Sequence, residues 1–380
     1  MSLKEKVSSY YKARYGTNFK LVFSPGRINL IGEHTDYNEG FVFPAAIDKG
    51  IYSAIGSSDS ATSKIHALDL EESCEFSTKN SNTHYENGWK NYIIGVVEEI
   101  KKAGSEVPQF NMVFSGDIPV GSGLSSSAAL ENNVVFGLNE LFGLGLSREE
   151  MIFISQKAEH NYVGVKCGIM DQYASMFGQK NKALLLDCRT ITSEPFKIDL
   201  KAHELILINT NVKHTLADSA YNDRRSVCEK AAKMLNIKAL RDGTTEDLLR
   251  VKSALSEEDY QKVLYVVREN ERVIKASLAL KNRDIEGLGK LMYETHGGLK
   301  EQYRVSCDEL DFLVDMAKKD TAIAGARMMG GGFGGCTINL VEKGHKQTFV
   351  DKISTAYRDQ FGKECSIYEV HIEAGTHLID

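Results

Sequence analysis

PVGSGLSSSAALENNVVFGL, residues 119–138, joins two elements of different period. Phe110–Ile118 alternates apolar and polar residues before it, as a half-buried strand does. After it, an apolar run from about residue 128 to 141 reads as a helix. Between them stand Gly121, Gly123 and three consecutive serines, Ser125–Ser127. Small residues leave backbone N–H groups bare at a helix start, where the helix dipole favours negative charge, so phosphate oxygens fit there. A serine hydroxyl at that position also suits Mg²⁺ as a ligand. The plainer alternative is a Gly/Ser cap that binds nothing, although three serines exceed what capping needs. The loop is not a P-loop, since GxxxxGK[ST] is absent from the chain, as is a protein-kinase HRD and DFG pair.

Three other stretches carry chemistry. SPGRINLIGEHTDYNEGFVFP, residues 24–44, packs Arg27, Glu33, His34 and Asp36 into ten residues broken by Gly26, Gly32 and Gly40. Carboxylates so placed accept hydrogen bonds from neighbouring hydroxyls, as a sugar presents them, and an arginine beside them neutralises a phosphate. A polar hairpin with a local ion pair would read the same. In AEHNYVGVKCGIMDQYAS, residues 158–175, Glu159 and Asp171 flank Gly164 and Gly168. Asp171 interrupts an apolar stretch, so it is either buried with a partner or placed for work. RMMGGGFGGCTINLV, residues 327–341, holds five glycines in six residues. That density implies close approach of the backbone, to a ligand or to another loop. Gly330, Gly332 and Gly335 fit GxGxxG as a string, but they lead into a strand and not a helix, which is the wrong context for a dinucleotide fold.

The rest of the chain frames these loops. Its 380 residues suit two domains, and 42% hydrophobic with 26% charged residues is an ordinary globular mixture. The net charge of −6 comes with no basic block, which argues against a nucleic-acid partner. No stretch approaches the ~20 apolar residues of a membrane helix. The start, MSLKEKVSSYYKARYG, reads as an amphipathic helix and not a secretory signal, and seven singly spaced cysteines read as reduced thiols of a cytoplasmic protein. Strand patterns cover 18–23, 40–44, 50–56, 63–77, 183–187, 204–209, 336–342 and 366–373, with a helix over 89–103. Ser147 with Glu150, and Ser306 with Glu309, read as capping boxes. From about 215 to 319 the pattern is mainly helical, and the composition shifts near residue 178. The whole is an α+β pattern without regular βαβ alternation.

Taken together, these strings resemble the galactokinases, members of the GHMP small-molecule kinase family. GRINLIGEHTDYNEG, residues 26–40, matches the signature GRxNLIGEHTDYNxG, and residues 119–128 match P-x-G-x-G-L-S-S-S-A. GIMDQ and the glycine-rich stretch near 330 follow in the family order. The resemblance implies a two-domain GHMP kinase fold with the active site in the cleft, residues 1–178 and 179–380, the last strand (about 366–380) packing back onto the first domain. It implies transfer of the γ-phosphoryl of Mg·ATP to the C1 hydroxyl of galactose. Asp171 and Arg27 then form the catalytic pair, and Glu33, His34, Asp36, Gly168, Asp171 and Tyr221 contact the sugar. Gly121, Ser122, Gly123, Leu124, Ser125, Ser126, Ser127 and Ala128 hold ATP, Trp89 and Tyr92 line its adenine, and Ser127 and Glu159 hold Mg²⁺. Alternatives are a kinase for N-acetylgalactosamine or L-arabinose, and a non-catalytic galactose/ATP sensor, against which the intact Ser127–Ala128 pair speaks. Neither nucleic acid nor membrane is an expected partner.

Overall fold

The computed structural model describes residues 1–79, 88–119, 121–212 and 217–380, with the side chains of the helix beginning at 217 described from Asn222 onward. Thirteen strands are β1 (Lys20–Asn29), β2 (Phe41–Val42), β3 (Pro44–Ser57), β4 (Ser63–Ala67), β5 (Glu72–Phe76), β6 (Phe110–Gly116), β7 (Lys182–Asp187), β8 (Thr192–Lys197), β9 (His203–Asn209), β10 (Ile323–Met328), β11 (Cys336–Glu342), β12 (Ser366–Glu369) and β13 (His377–Leu378) among the described residues. The helices are α1 (Leu3–Tyr15), α2 (Lys90–Lys102), α3 (Ser126–Phe142), α4 (Arg148–Ala158), α5 (Met170–Phe177), α6 (Ala217–Met234), α7 (Thr245–Val251), α8 (Glu257–Lys281), α9 (Ile285–Gly297), α10 (Asp308–Lys318) and α11 (Lys346–Phe361).

The strands form a six-stranded sheet, β13-β1-β3-β6-β4-β5, a four-stranded sheet, β10-β11-β9-β12, and a three-stranded sheet, β2-β7-β8. Their side chains alternate as the pleat demands. In the large sheet Ala54 and Val113 meet Val7 and Tyr11 of α1 on one face, while Ile55, Met112 and Phe114 join the main core on the other. In the four-stranded sheet Ile206 and Ile208 pack with Phe349 and Tyr357 of α11, while Leu205 and Leu207 face the main core. The chain's last residues turn back to the large sheet. Leu378 pairs with Val22, Ile372 bridges Ile47, and the Thr376 hydroxyl lies 2.8 Å from that of Ser24. Residues 366–369 instead pair with β9. No described helix is long and apolar enough to cross a membrane.

Helix α3 opens at Ser126, two residues earlier than the apolar pattern suggested, because its small residues are helical although not apolar. The Ser147–Glu150 capping box forms. The Ser306–Glu309 box does not: α10 starts after Cys307, the Ser306 hydroxyl donates to Asp311 at 2.5 Å, and Glu309 pairs with Lys363 at 2.7 Å. Three strands escape a pattern reading, the two-residue β13 among them. β8 carries Pro195, tolerated because β8 is the sheet edge and needs no second ladder, and β10 is an apolar run interrupted by Gly325 and Arg327.

Gly325 is there for contact. It faces Gly289 of α9 so closely that a Cβ on either residue would enter the other segment's backbone. Replacing Gly289 by Ala should therefore lower stability by about 1–3 kcal/mol, although Ala is the better helix former. A shift of the urea midpoint to lower concentration checks this, and an unchanged or raised midpoint contradicts it.

Candidate active site

The pairing of β1 with β3 slips between Pro25 and Arg27, and the Arg27 N–H leaves the ladder to reach the Leu124 carbonyl at 3.1 Å. That irregularity sets Arg27 against the Gly/Ser loop. Its guanidinium grips Asp171 with both prongs, Nε to Oδ1 at 2.8 Å and Nη2 to Oδ2 at 2.9 Å, while Nη1 donates to the Gly123 carbonyl at 2.5 Å. The Ser125 hydroxyl donates to Asp171 Oδ2 at 2.5 Å, from a backbone at φ +61° just before α3. Asp171 itself stands in the first turn of the eight-residue helix α5. Burial opposes the charge on Arg27, but Asp171 and then Glu33 outweigh it and hold the guanidinium protonated. Five N–H donors in a rigid fork suit this three-way junction.

The acidic loop after β1 forms the second wall. Glu33 Oε1 accepts from Arg327 Nη2 and from the Gly330 N–H, both at 3.0 Å. Arg327 is wholly buried on β10 and also donates to the carbonyls of Asn29, Leu30 and Met328. The guanidinium thus ties the acidic loop to β10, and the Glu33 carboxylate ties it to the glycine-rich loop that follows. His34 sits at φ +63°, with Nε2 3.3 Å from the Gly331 carbonyl and Nδ1 2.8 Å from the Tyr37 hydroxyl. A carbonyl only accepts, so Nε2 carries the hydrogen and Tyr37 donates to Nδ1. Burial pushes His34 down to about 4, which keeps it neutral near pH 7. Burial, then Asp171, pushes Asp36 up to about 6, and Gly168 lies directly against its carboxylate.

Glu159 completes the acidic set. The last turn of α4 widens into a π turn, Glu159–Val163, a distortion often found at functional positions. Burial and then Asp171 push Glu159 up to about 7, against the pull of hydrogen bonds from Ser127, Cys167 and Gln172. The Gln172 amide donates to both Glu159 Oε2 at 3.0 Å and Glu131 Oε2 at 3.2 Å. Glu131 is fully buried, raised well above the carboxylate range by burial and then by Glu159, and its Oε1 has no partner. A pair of buried acids short of positive charge beside a serine hydroxyl fits a hard divalent cation. Among the described residues no group of three or more His, Cys, Asp or Glu could hold a metal ion.

Arg27, Glu33, His34, Asp36, Glu159, Gly168 and Asp171 line one cavity, with Gly330 and Gly331 from the glycine-rich loop. The two glycine loops face each other: the Gly123 and Gly330 backbones approach so closely that a Cβ on Gly330 would lie 3.2 Å from the Gly123 carbonyl. The close approach inferred for residues 330–335 thus includes another loop. Gly121 and Ser126 are exposed, Leu124 and Ala128 are buried, and the Ser122 hydroxyl turns back to the Pro119 carbonyl at 2.7 Å. Trp89 and Tyr92 do not line the cavity; the Trp89 indole packs edge-on against Phe114 and donates to Glu72 at 3.0 Å. Tyr221 lies on α6, with its side chain outside the described residues. Arg327, Glu131 and Gln172 were not singled out from the sequence. The signal was present for two of them, a lone charge inside an apolar run (IAGARMM and AALENNVV), which a fold must pair or neutralise.

Residues 9–57 match the galactokinase galactose-binding signature, 91–179 the N-terminal domain of the GHMP kinases, and 276–359 their C-terminal domain. A galactokinase of Thermotoga neapolitana is 40% identical, covering 94% of this chain and 99% of its own. One from Clostridium acetobutylicum is 39% identical over 100% of this chain and 98% of its own. The crystal structure of Lactococcus lactis galactokinase complexed with galactose superposes with a TM-score of 0.95 at 33% identity, covering both chains fully. Methanococcus jannaschii mevalonate kinase, at 19% identity and TM-score 0.65 over 93% of this chain and 98% of its own, shares the fold.

Two outcomes follow from the buried charges. Arg327→Met leaves Glu33 buried without its cation and should cost about 3–5 kcal/mol, read from urea denaturation. For Asp36 the native state keeps a proton that the unfolded chain releases near its ordinary value of 3.8. Its contribution, on the order of 3 kcal/mol, is therefore fully present below about pH 4 and lost as pH rises through about 6. Asp36→Asn should flatten that part of the stability profile, and an unaltered slope between pH 4 and 6 contradicts the assignment.

Proposed function

From the premise that this chain belongs to the galactokinases of the GHMP kinase family, we propose how its residues divide the transfer of a γ-phosphoryl group from ATP to the C1 hydroxyl of galactose. The reaction is that of an ATP-dependent sugar kinase. Phosphoryl transfer runs through a loose transition state, so positioning and charge neutralisation do most of the work.

Asp171 receives the C1 hydroxyl, orienting it in line with the γ-phosphorus and accepting its proton as the O–P bond forms. Arg27 holds Asp171 at one end and the Gly123 carbonyl at the other, so the acceptor and the phosphate loop keep a fixed spacing. That span is the single observation that carries the reading. The Gly121–Ala128 loop offers its N–H groups and the start of α3 to the β- and γ-phosphates. Ser127 and Glu159 would hold Mg²⁺, which supplies charge neutralisation on the phosphate oxygens. Burial favours a proton on Glu159 that a bound cation would displace. Glu33, His34, Asp36 and Gly168 grip the hexose. Glu33 and His34 are already tied to the glycine-rich loop, which supports a rigid sugar pocket.

Tyr221 is assigned to the sugar from α6, and Trp89 and Tyr92 to the adenine, on the strength of their motif positions. The same reading divides the chain near residue 178, with β13 returning to the first half. A cytoplasmic location is supported by seven free cysteines.

Asp171→Asn should fold normally and lose at least ~10²-fold in kcat. A near-normal kcat removes Asp171 from the mechanism. Ser127→Ala should raise the Mg²⁺ concentration needed for half-maximal rate with little change in KM for galactose. ADP release measured over galactose, N-acetylgalactosamine and L-arabinose should show galactose preferred, and another sugar turning over faster would replace the substrate assignment.

A further inference from the structure

The turn that carries Asp36 is held from outside the cavity by charges that the transfer chemistry does not use. Asp36–Asn38 form a single 3-10 turn closed by Glu39, whose N–H reaches the Asp36 carbonyl at 3.2 Å. Glu39 sits at φ +55°, a left-handed position that favours glycine or asparagine and costs other residues about 1 kcal/mol. Its side chain is committed to cations: Arg189 Nε at 2.6 Å and Lys238 Nζ at 2.9 Å, while its carbonyl accepts from Arg241 Nη1 at 3.2 Å. Each arginine also makes a two-pronged pair elsewhere, Arg189 with Asp242 at 2.7 Å and Arg241 with Asp187. The Arg241 guanidinium further covers the Phe41 ring at 4.2 Å, and the Cys188 N–H donates to the Gly40 carbonyl at 2.9 Å. The turn is thereby fastened at once to the end of β7 and the turn that joins it to β8, and to residues 238–242.

We propose that Glu39, Arg189 and Arg241 are positioning residues: a clamp that fixes the Asp36 turn against the sugar and so sets KM for galactose. This rests on the reading of Asp36 as a sugar-gripping residue. Isolated exposed ion pairs contribute little, and Lys238 is itself 70% exposed, but Arg189 and Arg241 are each held by a two-pronged carboxylate pair while they grip Glu39, and the side chains of Glu39, Arg189, Arg241, Asp187 and Asp242 are only 19–33% exposed. The planar forks resist sliding, so the turn cannot shift without breaking several bonds together. Neither Arg27 on β1, nor Asp171 on α5, nor the phosphate loop shares a hydrogen bond with the clamp residues. Its effect should therefore fall on the sugar alone.

Glu39→Gly separates the roles, because it relieves the left-handed strain while removing the charge. The clamp requires KM for galactose to rise roughly 3- to 10-fold, with kcat within about twofold and KM for ATP unchanged. In the unaltered protein KM for galactose should also rise from low to molar salt, and that dependence should weaken in the variant. Arg189→Gln should act in the same direction and is read in its place if Glu39→Gly fails to fold. Unchanged KM for galactose in both variants overturns the proposal, as does a parallel rise in both KM values. Asp36→Asn, measured alongside, keeps the two ideas apart. If it leaves KM for galactose unchanged, the sugar-gripping reading fails. If it raises that KM while the clamp variants do not, the clamp alone fails.

Discussion

Four carboxylates, those of Glu33, Asp36, Glu159 and Asp171, line the cavity and a fifth, Glu131, lies behind Glu159, while among the described residues two guanidiniums, those of Arg27 and Arg327, pair with them. The imbalance is the constraint from which the rest of the site follows. Buried charges of one sign cannot all stay ionised, so the acids differentiate. Glu33 and Asp171 take the arginines. Asp36, Glu159 and Glu131, left without, are driven upward by burial. A site in this state draws in cations and hydroxyl donors, which are what a metal-bound nucleotide and a sugar bring. The protein's own ion pairs thus supply the framework, and the remaining deficit is left for ligands to fill.

The two arginines do different jobs with the same geometry. Arg27 spans from the acidic residue of α5 to the Gly/Ser loop before α3, within the first half of the chain. Arg327 reaches across nearly 300 residues to two carbonyls and a carboxylate, and so fastens the four-stranded sheet to the end of β1 and the loop after it. A lysine could not satisfy either junction, since each needs several N–H groups fixed in one plane. The cleft between the sheets is therefore a bonded seam as well as a gap.

The loops of the site were legible in the sequence because glycine, serine and clustered charge are rare together and each has a local meaning. Arg27, Glu33, His34, Asp36, Glu159, Gly168 and Asp171 all reach the same cavity. The helices with apolar stripes and the Ser147–Glu150 cap were legible for the same local reason. What was not legible is what depends on distant partners. Cys307, not Ser306, opens α10, since Ser306 finds a better acceptor in Asp311. β8 hides behind a proline that only an edge strand tolerates, and β10 behind a glycine that α9 demands. Glu131 and Arg327 stand as lone charges in apolar runs, but only the fold shows what lies against them.

The return of residues 372–378 to β1 has a bearing on how the molecule comes to be made. Ser24 waits for Thr376, 352 positions later, before its hydroxyl network closes. Until then the edge of β1, the strand that bears Arg27, stands unpaired at Val22 and Phe23. On the ribosome the sheet that holds β1 must therefore remain open-edged through synthesis of everything that follows it, a long window of exposure to aggregation and to chaperones.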